Sequence, residues 1–101
     1  DTEHSIMRRV IGAKTVKIRV DKLDNMVSEL KLKRVDLVKI DVEGAELEVL
    51  KGAKRTLSRF HPKIVIEAWD EKKFREIKDF LSNFNYKFKR INEINYLFEL
   101  K

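Results

Sequence analysis

A chain of 101 residues is one domain at most and can bury only a modest core. Its 43% hydrophobic and 40% charged residues argue against disorder, and no apolar run approaches the roughly 20 residues of a transmembrane helix. The net charge of +6 favours loose association with anionic surfaces, but the basic residues are scattered in small groups, which suits solvated faces and helix ends better than a nucleic-acid footprint.

Asp1–Ala13 has no clear period and is expected to be an irregular or short helical lead-in. Thr15–Val20 alternates, with Val16, Ile18 and Val20 against Lys17 and Arg19, so it reads as a half-exposed strand. Asp21 is placed to cap a short helix running to about Leu30, in which Leu23, Val27 and Leu30 share a face. Leu37, Val38, Ile40 and Val42 then form a nearly continuous apolar run, the pattern of a strand buried on both faces of a parallel sheet.

The run ends at an acidic corner, Asp41-Val42-Glu43-Gly44-Ala45-Glu46. Gly44 supplies the freedom for a sharp turn, and Leu47, Leu50, Ala53, Leu57 and Phe60 recur at helical spacing beyond it. Glu46 and Glu48 early in this helix and Lys51, Lys54, Arg55 and Arg59 later complement its macrodipole, and His61-Pro62 ends it. Ile64–Ile66 form the next buried strand, closing on Glu67. Asp70 caps a third helix with the stripe Phe74, Ile77, Leu81 and Phe84. Tyr86–Ile91 and Ile94–Leu100 alternate around Asn92-Glu93 as a hairpin, with Tyr96, Phe98 and Leu100 on one face. The order is β-α-β-α-β-α-β-β, an α/β chain with a C-terminal antiparallel hairpin and no internal repeat or linker.

In open α/β sheets, ligands sit beyond the carboxyl ends of the strands, which is where the carboxylates of Asp41 and Glu43 fall. Lys39 lies inside the central strand, where a buried ammonium needs a partner. Period-two spacing puts Lys39 on the same face as Asp41, so a Lys39–Asp41 or Lys39–Glu67 pair is expected. Glu67 ends the neighbouring strand and converges on the same crevice, but two carboxylates without a third ligand do not make a metal site. Trp69 at the next corner either stacks on a ligand or packs at the rim. His4 and His61 are isolated, and no nucleophile with an adjacent base is visible.

The run Val35-Asp36-Leu37-Val38-Lys39-Ile40-Asp41-Val42-Glu43-Gly44-Ala45-Glu46 resembles the signature of the FkbM family of S-adenosylmethionine-dependent methyltransferases. Leu50, Gly52 and Ala53 follow it, Pro62-Lys63-Ile64-Val65-Ile66-Glu67 comes later, and the Leu23-Asp24 pair stands upstream as in that family. The resemblance runs from about Thr15 and weakens after Trp69. It implies a Rossmann-like, class I methyltransferase sheet with S-adenosylmethionine as cofactor. By this resemblance Asp41 and Glu43 are catalytic, facing the donor or an acceptor hydroxyl; Asp41 and Gly44 bind cofactor; and Lys39, Glu67 and Trp69 support substrate or site. The bland alternative is that Glu43 and Glu46 only complement a helix N-terminus; function is assigned to Asp41 and Glu43, structure to Glu46.

Such enzymes hold the donor on a glycine-rich loop. The glycines here are Gly12, Gly44 and Gly52, and none makes one. The chain is therefore expected to be the C-terminal half of a methyltransferase domain, inactive alone, acting when complete on a hydroxyl-bearing small molecule or glycan. The initial Asp1 fits a fragment, a processed chain or a trimmed one. The absence of cysteine is compatible with the cytoplasm, and the absence of Gln beside plentiful Lys, Glu, Ile and Val follows the direction of thermophile compositions. Two rival readings are a small basic module that contacts nucleic acid and a self-associating domain, a homodimer through an exposed sheet edge. The expected partners are the acceptor and a second copy, with no specific nucleic acid and no membrane.

Overall fold

The computed structural model describes residues 6–11, 14–19, 23–40 and 44–101, the first two segments as backbone. Among them the chain runs β1 (Ile6–Ile11), β2 (Lys14–Arg19), α1 (Leu23–Glu29), β3 (Leu37–Ile40), α2 (Glu46–Lys51), α3 (Lys54–Phe60), β4 (Lys63–Glu67), α4 (Glu71–Ser82), β5 (Tyr86–Arg90) and β6 (Asn95–Leu100).

The described strands form one mixed sheet in the order β2-β1-β3-β4-β6-β5. β3 and β4 are parallel, with Val38 beside Ile64 and Ile40 beside Ile66. Every other pairing is antiparallel. The expected parallel sheet is thus reduced to a single pair, flanked by β1 on one side and the C-terminal hairpin on the other. β1 itself falls where an irregular lead-in was expected. Its sequence, Ile-Met-Arg-Arg-Val-Ile, does not alternate; pairing with β2 and β3 on its two edges makes it a strand.

One face of the sheet carries the core. Val38, Ile40, Ile64, Ile66 and Phe98 are each at most 2% exposed, and they cluster with Leu23, Val27, Val49, Leu50, Leu57, Ile77 and Leu81 of the four helices. Each such side chain contributes about 1.5–3 kcal/mol by leaving water. The alternate positions differ: Leu37 and Val65 are half-buried and Lys39 is exposed. β3 is therefore buried on one face, not on both, because the described helices pack on the other side of its pleat.

The helix expected from Gly44 to Phe60 is two helices. Gly52 (φ −84°, ψ 6°) and Ala53 (φ −120°, ψ 16°) leave the helical path. Asp24, in the first turn of α1, explains the break. Its carboxylate accepts from the Arg55 and Thr56 backbone N–H groups at 2.9 and 2.8 Å and from the Thr56 hydroxyl at 2.7 Å. The Asp24 N–H in turn donates to the Gly52 carbonyl at 3.0 Å. These are the groups an unbroken helix would pair internally. Leu30, expected on the buried face, is 54% exposed, because α1 stops at Glu29 and Lys31 turns to φ +52°. The cap expected at Asp21 lies outside the described residues.

The C-terminal half agrees with expectation closely. Asp70 caps α4 by accepting from the Lys73 N–H at 2.8 Å. The ring of Phe74 packs against Phe88, Tyr96 and Phe98 at centroid distances of 5.1, 4.2 and 6.2 Å, locking α4 onto the hairpin. His61 ends α3 in the left-handed region, and the Pro62 carbonyl accepts from the buried Tyr86 hydroxyl. Asn92 organises the hairpin turn, its Oδ1 accepting from the N–H groups of Ile94 and Asn95 at 3.0 and 2.9 Å.

Candidate functional site

The parallel register brings the ends of β3 and β4 together, Ile40 beside Ile66. The segments that leave these two strands therefore start at one end of the sheet. After β3 comes the acidic corner. Asp41 and Glu43, the expected catalytic carboxylates, lie outside the described residues, as does the expected Lys39–Asp41 pair.

Gly44 is described, at φ +81°, a conformation that side chains rarely adopt, so the corner needs glycine there. Ala45 precedes the first turn of α2, and its carbonyl accepts from the Val49 N–H at 3.0 Å. Glu46 is 5% exposed in that turn, at the end of the helix where a carboxylate is favoured. A Cβ placed on Gly44 would lie 3.2 Å from Lys73 Nζ. Lys73 thus reaches the corner from the first turn of α4, whose start is fixed by the Asp70 cap. Sequence reasoning predicted the cap but missed the lysine, whose only signal is its position three residues beyond Asp70.

After β4 come the other expected residues. Glu67 is half-buried opposite Asn95, and the Ala68 N–H continues the pairing to the Ile94 carbonyl at 2.7 Å. Trp69 is 63% exposed, a large aromatic surface left open at this end of the sheet. Lys39 lies within β3, beside Val65, on the face away from the core. The premise that Lys39 is buried does not hold, and among the described residues it makes no ion pair with Glu67. Gly44, Lys73, Glu67 and Trp69 are thus gathered at one end, while Lys39 stands apart along the strand.

Among the described residues no three His, Cys, Asp or Glu side chains gather into a metal site. No described helix is long and apolar enough to cross a membrane.

The sequence pattern of the methyltransferase FkbM domain matches residues 1–88. The chain belongs to the FkbM methyltransferase family. Its similarity to individual relatives is partial. It is 37% identical to Methyltransferase sdnD of Sordaria araneosa over 67 residues, 58% of this chain and 26% of that protein. It is 36% identical to Methyltransferase 1 of Beauveria bassiana over 73 residues, 71% of this chain and 29% of that protein. It is also 35% identical over 72 residues to the AMB antimetabolite synthetase AmbE of Pseudomonas aeruginosa, 71% of this chain and 3% of that one. The chain thus spans under a third of the two methyltransferases it matches. No solved structure matches it.

FkbM methyltransferases imply S-adenosylmethionine, and the described residues do not fit that molecule by themselves. Among them no glycine-rich turn presents a row of backbone N–H groups to a ligand, the glycines described being Gly44 and Gly52. The corner brings together a glycine at positive φ, a lysine ammonium beside it and an open tryptophan at the neighbouring strand end.

Proposed function

We propose that this chain supplies the C-terminal half of a Rossmann-like FkbM methyltransferase domain, with the donor's glycine-rich loop provided by further residues. The reading is carried by the parallel β3–β4 pair, whose shared end holds the Gly44 corner of the family signature. Asp41 and Glu43 are the functional carboxylates of that corner. Their part is to accept a hydrogen bond from an acceptor hydroxyl and take up its proton, which favours O-methylation. Asp41 and Gly44 border the donor, and Glu67 and Trp69 wall the acceptor side. A small molecule or glycan bearing a hydroxyl is the substrate class this arrangement suits.

The test compares the chain with the product of the full open reading frame, titrating each calorimetrically with S-adenosylhomocysteine. The chain alone is expected to give no binding heat, and the longer protein one site. In the longer protein, Asp41→Asn is expected to lower methyl transfer to a hydroxyl acceptor by about 10²–10⁴-fold. One-to-one binding by the chain alone would overturn the half-domain assignment. A longer protein that neither binds the product nor transfers methyl would overturn the enzymatic one.

A further inference from the structure

α1 and α3 leave a groove of about 810 Å³ between them. Its floor is apolar: Val27 is 8% exposed, and Leu32 and Phe60 are half-buried. Its rim is cationic, with the exposed side chains of Lys31, Lys33, Lys54, Arg55 and Arg59. Asp24 is the carboxylate in the lining, and its oxygens are taken by Arg55 and Thr56. Leu32 and Lys33 precede β3 and Phe60 precedes β4, so this part of the groove lies toward the starts of the parallel strands. Gly44 comes after the end of β3, so the acidic corner is at the other end.

Lys31 holds its place on the rim at φ +52°, a conformation that costs any residue but glycine free energy. The conformation belongs to the cap that ends α1, in which the Lys31 N–H donates to the Ser28 carbonyl and the Leu32 N–H to the Val27 carbonyl, both at 3.1 Å, and it fixes the Lys31 side chain at the mouth of the groove. The charges are also spread out. Arg55 and Arg59 are separated by one turn of α3, about 6 Å along the axis, and Lys31 and Lys33 come from the opposite wall. A single phosphate cannot meet them all; carboxylates spaced along a chain can. Nor does the groove offer the open aromatic faces on which the bases of a single strand stack. Its aromatic ring, Phe60, is half-buried with the Arg59 guanidinium 4.9 Å from its centroid.

We propose that this groove docks an acidic segment of a partner protein, with an apolar side chain on the Val27–Leu32–Phe60 floor and flanking carboxylates on the lysines and arginines. The interaction is separate from the methyltransferase reading, because the groove lining includes none of Gly44, Glu67, Trp69 and Lys73.

The test is fluorescence anisotropy of the chain with a short labelled peptide in which Glu alternates with Leu and Phe. Competing ligands are the same peptide with Ser in place of Leu and Phe, and oligothymidylate. Binding is expected to weaken at least about 10-fold in Lys54→Glu/Arg59→Glu, and to change little in Lys87→Glu/Lys89→Glu, which makes the same charge change on β5. Lys31→Gly is expected to weaken the peptide while raising the melting temperature, which separates binding from folding. No binding of the peptide, equal binding of its Ser counterpart, or insensitivity to the groove substitutions would overturn the proposal. So would tighter binding of oligothymidylate through the same residues, which would make the groove a nucleic-acid face.

Discussion

Tyr86 shows how much one side chain at a junction can report. Its ring is 4% exposed, its hydroxyl donates to the Pro62 carbonyl, and burial raises its pKa well above the ordinary value of 10.0. The folded chain therefore keeps the phenolic proton at a pH where the unfolded chain has lost it. This contribution to stability is accordingly intact below pH 10 and lost as pH rises above it, at up to about 1.4 kcal/mol per pH unit. Urea unfolding across that range should show a steeper loss for the natural chain than for Tyr86→Phe, and equal slopes would disprove the linkage. Residues like this divide sharply in how far sequence reveals them. Asp70 and Gly44 were legible because cap and turn are local requirements, met within three or four residues. Tyr86 and Lys73 were not, since their partners lie 24 positions away for one and across a neighbouring helix start for the other. Asp41 and Glu43 lie outside the described residues, and their proposed role rests on the resemblance of the corner alone.

At the scale of elements, the break between α2 and α3 is the clearest case of tertiary structure overriding a local pattern. Leu47, Leu50, Ala53, Leu57 and Phe60 read as one continuous helical stripe, and nothing in those residues forbids it. The break depends on Asp24, whose carboxylate competes from another helix for the N–H groups of Arg55 and Thr56. Asp24, of the Leu23-Asp24 pair in the resemblance, therefore has a folding role, tying α1 to the start of α3. Asp24→Ala should destabilise the chain by about 1–3 kcal/mol, as removing a well-used cap and leaving partly buried N–H groups unpaired does. Equilibrium urea unfolding measures this, and a loss under a few tenths of a kcal/mol would mean that α2 and α3 simply fuse. β1 escaped notice for the opposite reason. Its own residues carry little strand pattern, and its structure comes from edges that β2 and β3 supply.

For the molecule as a whole, the sequence conveyed the α/β class, the crossover from β3 to β4 and the C-terminal hairpin, but not the sidedness of the sheet. Apolar runs such as Leu37–Ile40 read as buried on both faces, yet Leu37 and Val65 are only half-covered and Lys39 is open to solvent. Hydrophobicity marks what a strand can bury, whereas the helices at hand decide what it does bury. The expectation of self-association through a sheet edge meets a physical obstacle at β5. That outer strand carries exposed Lys87, Lys89 and Arg90, the charges that keep edge strands from pairing with one another. Two copies joined along β5 would set these cations against each other. The chain should therefore not dimerise through β5 at moderate salt, whereas Lys87→Val/Lys89→Val should associate increasingly with concentration in sedimentation velocity. If the natural chain is already a dimer and the same substitutions leave it unchanged, its contact lies elsewhere than β5, and the half-covered Leu37–Val65 face becomes the surface to mutate next.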